Sequence, residues 1–245
     1  MLVDVHAHLD HAQFKKDLDE VIGRAKKARI VAVINNGLNV ETNRQTLDLA
    51  KKYSIIKPAL GLYPTFAEKM SMQEIKTEFD FIKKQKIIAI GECGLDNKYV
   101  LDEKKQQKVF SMMIELAEKM KLPIIVHSRQ SEEKAIEMLE SSKLKKIVMH
   151  CFCGGLKLVK RIEKNGWYFS VPPSVNYSKT FQELVEQVSI NQLITETDSP
   201  YLAHKKTVRN EPENIKYSIQ KISEIKKLDL NEVEKIFYMN FRQIF

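Results

Sequence analysis

Only three cysteines occur, Cys93, Cys151 and Cys153, and their spacing fits no disulfide framework, which points to a reducing intracellular setting. They read as small buried thiols. No apolar run approaches the ~20 residues a membrane-spanning helix needs. No signal peptide is apparent either, because Met1-Leu2 leads directly into an apolar strand. The expectation is a soluble, cytoplasmic protein without membrane contact. No compositional break, repeat or low-complexity segment divides the 245 residues, so residues 1–245 read as a single domain. Nor is there a dedicated basic tail. The 40 Lys+Arg against 32 Asp+Glu leave a net charge of +8, spread among interleaved acids. That surplus suits a polyanion such as nucleic acid, although it also serves ordinary solubility. Nothing in the pattern calls for an obligate protein partner.

What is present starts at Val3-Asp4-Val5-His6-Ala7-His8-Leu9-Asp10, which alternates apolar and polar residues with the period of a β-strand. Asp4, His6, His8 and Asp10 should share one face, with Val3, Val5, Ala7 and Leu9 packing on a covering helix. Further short apolar strands fall at residues 30–34, 57–62, 87–92, 123–128, 146–152, 168–172 and 193–198. Asn35-Asn36-Gly37 reads as the turn closing the second. Helical spacing fills the intervals at residues 17–30, 40–53, 72–84, 103–120, 131–139, 156–165 and 179–187, and a last segment runs from residue 213 onward. Asn231 followed by Glu234 reads as a capping pair within that segment. Short strands alternating with helices throughout the chain predict a (β/α)₈ TIM barrel. A doubly wound sheet is the alternative, but it would want a Gly-rich phosphate loop after the first strand, where His8-Leu9-Asp10 stands.

In such barrels chemistry sits at the C-terminal ends of the strands. Those ends carry His6 and His8 on strand one, Glu92 on strand four, His127 on five, His150 on six and Asp198 on eight. One histidine in an apolar run is ordinarily a hydrogen-bonded core residue. Four imidazoles and two carboxylates at one mouth are hard to explain as packing, because buried polar groups left unpaired each cost ~1–3 kcal/mol. Six donors exceed what one ion with an open position needs, so two divalent ions are expected, with Glu92 bridging. His6, His8 and Asp198 are assigned to one ion, and His127 and His150 to the other. Mixed imidazole and carboxylate donors leave zinc, manganese, iron and magnesium open. Arg129 could clamp a phosphate or pair with a nearby acid. Arg209, with Lys205 and Lys206, lies in a loop after Asp198 and is expected to reach phosphate above the mouth.

Taken together, the sequence resembles the TatD family of metal-dependent deoxyribonucleases. The matching stretches are Asp4-Val-His-Ala-His-Leu-Asp10, Gly91-Glu-Cys-Gly-Leu-Asp96, Pro123-Ile-Ile-Val-His-Ser-Arg129, His150-Cys-Phe-Cys-Gly154, Glu196-Thr-Asp-Ser-Pro-Tyr201, Arg209-Asn-Glu-Pro212 and Asn240-Phe-Arg-Gln-Ile-Phe245. The resemblance implies an amidohydrolase-type barrel that binds divalent metals and removes nucleotides from DNA ends. It implies the same six ligands. The family commonly has Gly-x-His-Pro after strand three, whereas this chain has Gly61-Leu62-Tyr63-Pro64, so Tyr63 stands where a substrate-facing histidine is expected. Tyr63 could stack on a base. The expected reaction is phosphodiester hydrolysis of DNA, with Asp198 taking a proton from the attacking water and Glu92 holding the ions. The rivals are hydrolysis of a carbon ester or amide, including deacylation of tRNA, and a non-catalytic nucleic-acid-binding barrel.

Overall fold

The computed structural model describes all 245 residues. Its strands are β1 (Leu2–Ala7), β2 (Ile30–Asn36), β3 (Ile56–Leu60), β4 (Ala89–Asp96), β5 (Ile124–Arg129), β6 (Ile147–Met149), β7 (Tyr168–Val171) and β8 (Leu193–Thr195). They pair in parallel in chain order from β1 to β8. A parallel bridge from Ala7 to Ser199 links the last segment to the first, and Asp198 N donates to the His6 carbonyl at 2.7 Å. The sheet is therefore a nearly closed (β/α)₈ barrel. Around it run α1 (Leu18–Lys27), α2 (Val40–Lys52), α3 (Pro64–Ala67), α4 (Met72–Ile82), α5 (Glu103–Met120), α6 (Glu132–Glu140), α7 (Leu156–Lys164), α8 (Lys179–Gln187), α9 (Ile215–Lys226) and α10 (Leu230–Ile244). No helix is long and apolar enough to cross a membrane.

Local chemistry explains the helix starts. Asn39 and Thr42 form a capping box on α2, and Ser71 and Glu74 form one on α4, each satisfying orphan amides of the first turn. The segment after residue 213 is two helices, and the expected capping pair is not formed. Asp229 caps α10 by accepting from Asn231 N at 2.9 Å, while Glu234 accepts from Arg29 at 3.2 Å.

Two apolar layers result. An inner group, Val3, Val5, Ala32, Ile34, Ala59, Ala89, Ile125, Val148 and Ile194, fills the lower barrel, and Ile244 of α10 plugs its floor. A larger outer group joins the strands to the helices. The inner group corrects the expected faces of the first strand, since Val3 and Val5 point into the barrel. With strict alternation His6 would then face outward. The β1–β2 register shifts between Asp4 and Ala7, and that irregularity turns His6 inward. The β4–β5 register likewise shifts between Ile90 and Cys93, around Glu92. Alternation alone therefore misplaces Val3 and Val5 at the first of these irregularities.

Asn35 and Asn36 are buried strand residues rather than a turn. The Asn35 side chain accepts from Leu9 N at 2.5 Å and donates to Asp10 at 2.8 Å, fixing the loop that follows β1.

Candidate metal centre

The predicted donors do not all close their strands. His8 and His150 lie just beyond β1 and β6, Asp198 lies three residues beyond β8, and Glu92 and His127 lie within β4 and β5. The structure nevertheless brings all six together at one mouth. Glu92 is central. Its Oε2 lies 3.1 Å from His6 Nε2 and 3.4 Å from His8 Nε2, while its Oε1 lies 3.1 Å from His127 Nδ1 and 4.0 Å from His150 Nε2. Asp198 Oδ1 lies 3.5 Å from His8 Nε2 and 3.7 Å from His6 Nε2. Two donor sets follow, each with ligand atoms within 4.8 Å of one another: His6, His8 and Asp198, and Glu92, His127 and His150.

The backbone around these side chains is specialised. Asp198 has φ 55°, in the left-handed region that Asp tolerates better than most residues. Asp4 pins this corner by accepting from Thr197 N at 2.8 Å and Thr197 Oγ1 at 2.6 Å, and Asn210 donates to the Thr197 carbonyl at 2.7 Å. Burial pushes the Asp4 carboxyl up to about 8, against the lowering effect of those bonds. Gly94 lets β4 approach β5, because a side chain there would fall on the His127 carbonyl oxygen.

Outer partners fix the imidazole tautomers. His8 Nδ1 faces the Asn36 carbonyl at 2.9 Å, an acceptor only, so it carries the proton and Nε2 keeps its lone pair. His150 Nδ1 likewise donates to Glu196 at 2.6 Å, and His127 Nε2 to Asp96 at 3.1 Å. Three rings thus aim lone pairs inward at two carboxylates. His6 Nε2 lies 3.1 Å from His8 Nε2, and His6 Nδ1 is buried without a partner. A pocket lined by acceptors needs cations, and these donors fit divalent metals. A third set, His6, His150 and Glu196, also falls within 4.8 Å, but Glu196 Oε2 is already engaged by His150 and by Ser170 at 2.6 Å.

Without ions, protons do part of this work. Burial opposes the imidazolium of His150, yet Glu196, Asp198 and Glu92 override it and raise its pKa to about 9. His8 is raised well above its ordinary value, against burial, by Asp198 and Glu92, and His127 is raised by Asp96 and Glu92. His6 moves down through burial and the neighbouring His150. The histidines outweigh burial at Glu92, holding it well below the usual carboxylate range.

The centre opens into a cavity of about 1250 Å³ whose lining includes Tyr63, Arg129, Cys151 and Cys153. Tyr63 donates to Asp96 Oδ2 at 2.7 Å, so it braces the partner of His127 as well as facing the cavity. Arg129 is half exposed, with Nη1 3.8 Å from that same oxygen. Arg209 is not on the cavity. Its guanidinium donates to Asp17 at 2.6 and 2.9 Å and to the Gln13 carbonyl at 2.6 Å, so local acids consume the charge expected to meet phosphate. Lys205 and Lys206 do not line the cavity either; Lys206 lies over the Tyr177 ring at 5.5 Å. The thiols also depart from expectation, since Cys153 is exposed and Cys151 half-buried.

The profile of the family described as TatD related DNase matches residues 3–245. The chain belongs to this TatD family. It is 36% identical to the uncharacterized metal-dependent hydrolase MJ1582 of Methanocaldococcus jannaschii, over 99% of this chain and 96% of that protein. It is 31% identical to human deoxyribonuclease TATDN3, over 100% of this chain and 94% of the human one. The crystal structure of the TatD homolog YJJV of Escherichia coli superposes with a TM-score of 0.92 at 26% identity, covering 100% of this chain and 97% of that one.

Four residues in this TatD chain whose supporting role at the site sequence reasoning missed are the outer partners Asn36, Asp96 and Glu196, and the brace Asp4. Even spacing was the available signal: Asp96 stands four residues after Glu92, and Glu196 two before Asp198.

Proposed function

We propose that this chain, acting as one barrel domain over residues 1–245, hydrolyses phosphodiester bonds of DNA, removing nucleotides from an end with two divalent ions held by His6, His8, Glu92, His127, His150 and Asp198. The observation carrying this reading is the division of Glu92, whose two oxygens face different histidine pairs. Family membership and a relative named as a deoxyribonuclease support the substrate. Zinc, manganese, iron and magnesium are the candidates, and imidazole-rich donors favour zinc and iron over magnesium. Ions bound there would polarise a phosphoryl oxygen and lower the pKa of the attacking water.

The chain's own residues supply the rest. Asp198 keeps Oδ1 toward His8 and His6, leaving its second oxygen to take the proton of the attacking water. Glu92, held as a carboxylate, fixes the spacing of the two donor sets. Arg129, a half-exposed cation on the wall, receives the phosphate, and the Tyr63 ring offers a surface for a base. The unpaired cysteines fit a cytoplasmic setting.

Incubating end-labelled DNA with each metal, with metal content measured in parallel, tests the reading. Metal-dependent release of nucleotides is expected; a loaded protein inert toward DNA overturns it. One observation favours a second reading, hydrolysis of a carbon ester or amide such as an aminoacyl-tRNA bond. The cavity lining also carries Glu41 and Asp48, poor neighbours for a phosphate backbone. Parallel assays on bis(p-nitrophenyl) phosphate and a carboxylic ester separate the two.

A further inference from the structure

The three thiols occupy different environments. Cys93 is sealed in the outer core on β4. Cys151 and Cys153 sit in the loop between β6 and α7 and both line the metal cavity. Cys151 has φ 46°, in the left-handed region, and its N–H donates to Glu196 Oε1 at 3.0 Å. Phe152, between them, turns the other way into the core, its ring centroid 5.7 Å from that of Phe169. The two thiols are thereby left on the same side. Cys153 Sγ donates to the Cys151 carbonyl at 3.4 Å. Hydrolysis at the metal centre uses neither.

We propose that Cys151 and Cys153 are a redox-active dithiol on the cavity wall, a modification site for peroxides that closes to an internal disulfide. An exposed thiol beside a second thiol is the arrangement of a peroxide-reactive cysteine and its resolving partner. Cys153, the exposed one, attacks the peroxide: an S–O bond forms, the O–O bond breaks, and one water leaves. Cys151 then attacks that sulfur, forming the S–S bond and releasing the second water. The thiols lose two electrons and two protons, and the hydrogen peroxide is reduced to two waters. Closure tugs on the Cys151 amide, which is bonded to the carboxylate that orients His150. Oxidation should therefore depress hydrolysis, whichever ester is the substrate.

The test treats the full chain, stripped of ions, with a small excess of hydrogen peroxide, then blocks free thiols and measures intact and peptide masses. The expected result is loss of two hydrogens, mapped to a disulfide between Cys151 and Cys153 and reversed by dithiothreitol. After reloading with metal, the oxidised protein should hydrolyse roughly 10-fold more slowly or worse, the cost of disturbing a histidine's outer partner. Cys153→Ser should show no such mass loss and keep its activity through the same treatment. Oxygen addition without a disulfide, or a disulfide-linked dimer, overturns the dithiol. Full activity of the oxidised protein, or equal inactivation of Cys153→Ser, overturns the coupling to His150. The wild-type mass map stands independently should the variant fold poorly.

Discussion

The two halves of the metal centre are built to different standards. In the half formed by Glu92, His127 and His150, each imidazole is backed by a carboxylate, Asp96 at 3.1 Å and Glu196 at 2.6 Å. In the half formed by His6, His8 and Asp198, His8 is backed only by the Asn36 carbonyl, and His6 Nδ1 has no partner. A carboxylate behind a ligating histidine raises its basicity and locks its ring. The first half should hold its ion more tightly. The second, which carries Asp198, the proposed proton acceptor, should exchange its ion more readily.

The change expected to matter most abolishes the distinction. Glu92→Gln leaves no charge to share between the halves, so both should lose metal, and turnover should fall beyond the roughly 10²–10⁴-fold range for a lost general base. Metal analysis alongside activity checks this; retention of two ions at wild-type affinity would show that Glu92 does not bridge.

Asp198→Asn comes next. It keeps a neutral oxygen ligand but removes the proton acceptor, so turnover should drop roughly 10²–10⁴-fold while the fold and most of the metal remain. Turnover within a few-fold of wild type would reduce Asp198 to a structural ligand.

Glu196→Gln and Asp96→Asn sharpen the comparison directly. Each should weaken the ion of the carboxylate-backed half by roughly 10–100-fold, leaving the other ion largely unaffected. Calorimetric titration of both sites reads this, and equal weakening of the two ions would refute the asymmetry.

A smaller effect concerns protons in the ion-free protein. His150 is raised to about 9, and His8 and His127 are also raised. A raised imidazole stabilises the fold below its unfolded pKa near 6.5, and that stability is lost as pH climbs through the folded value. Melting temperature without ions should therefore fall between pH ~6.5 and ~9. Saturating metal should flatten the profile, and an ion-free protein with constant melting temperature over that window would contradict it.

The smallest contrast pits two arginines against each other. Arg129→Ala should weaken DNA binding and its salt dependence, since a phosphate contact releases counterions. Arg209→Ala should lower melting temperature slightly and leave DNA binding alone, because Arg209 is tied to Asp17. Loss of DNA affinity in Arg209→Ala would return that residue to the mouth.

Much of this is legible in the sequence. Alternating strands and helices specified the barrel, and the residue types near strand ends specified the six side chains that meet at its mouth. Three things were not legible, each for a physical reason. The inward turn of His6 comes from a register shift in β1, which breaks the period-two rule that the reading of Val3 and Val5 relied on. The fate of Arg209 depended on Asp17, 192 residues away in sequence, and a solvated charge and a paired one look identical in a string of letters. Asp96 and Glu196 lie inside the matching motifs, yet their work is to hold other side chains, which only distances reveal.

The plugged floor of the barrel has its own consequence for traffic. With the lower interior packed by strand side chains and Ile244, the cavity at the mouth is the route to the centre. A cleaved fragment must leave by the door through which the next molecule enters. Product is thus expected to act as a competitive inhibitor, visible as intersecting lines in steady-state plots, and successive cuts should be separated by dissociation rather than by threading.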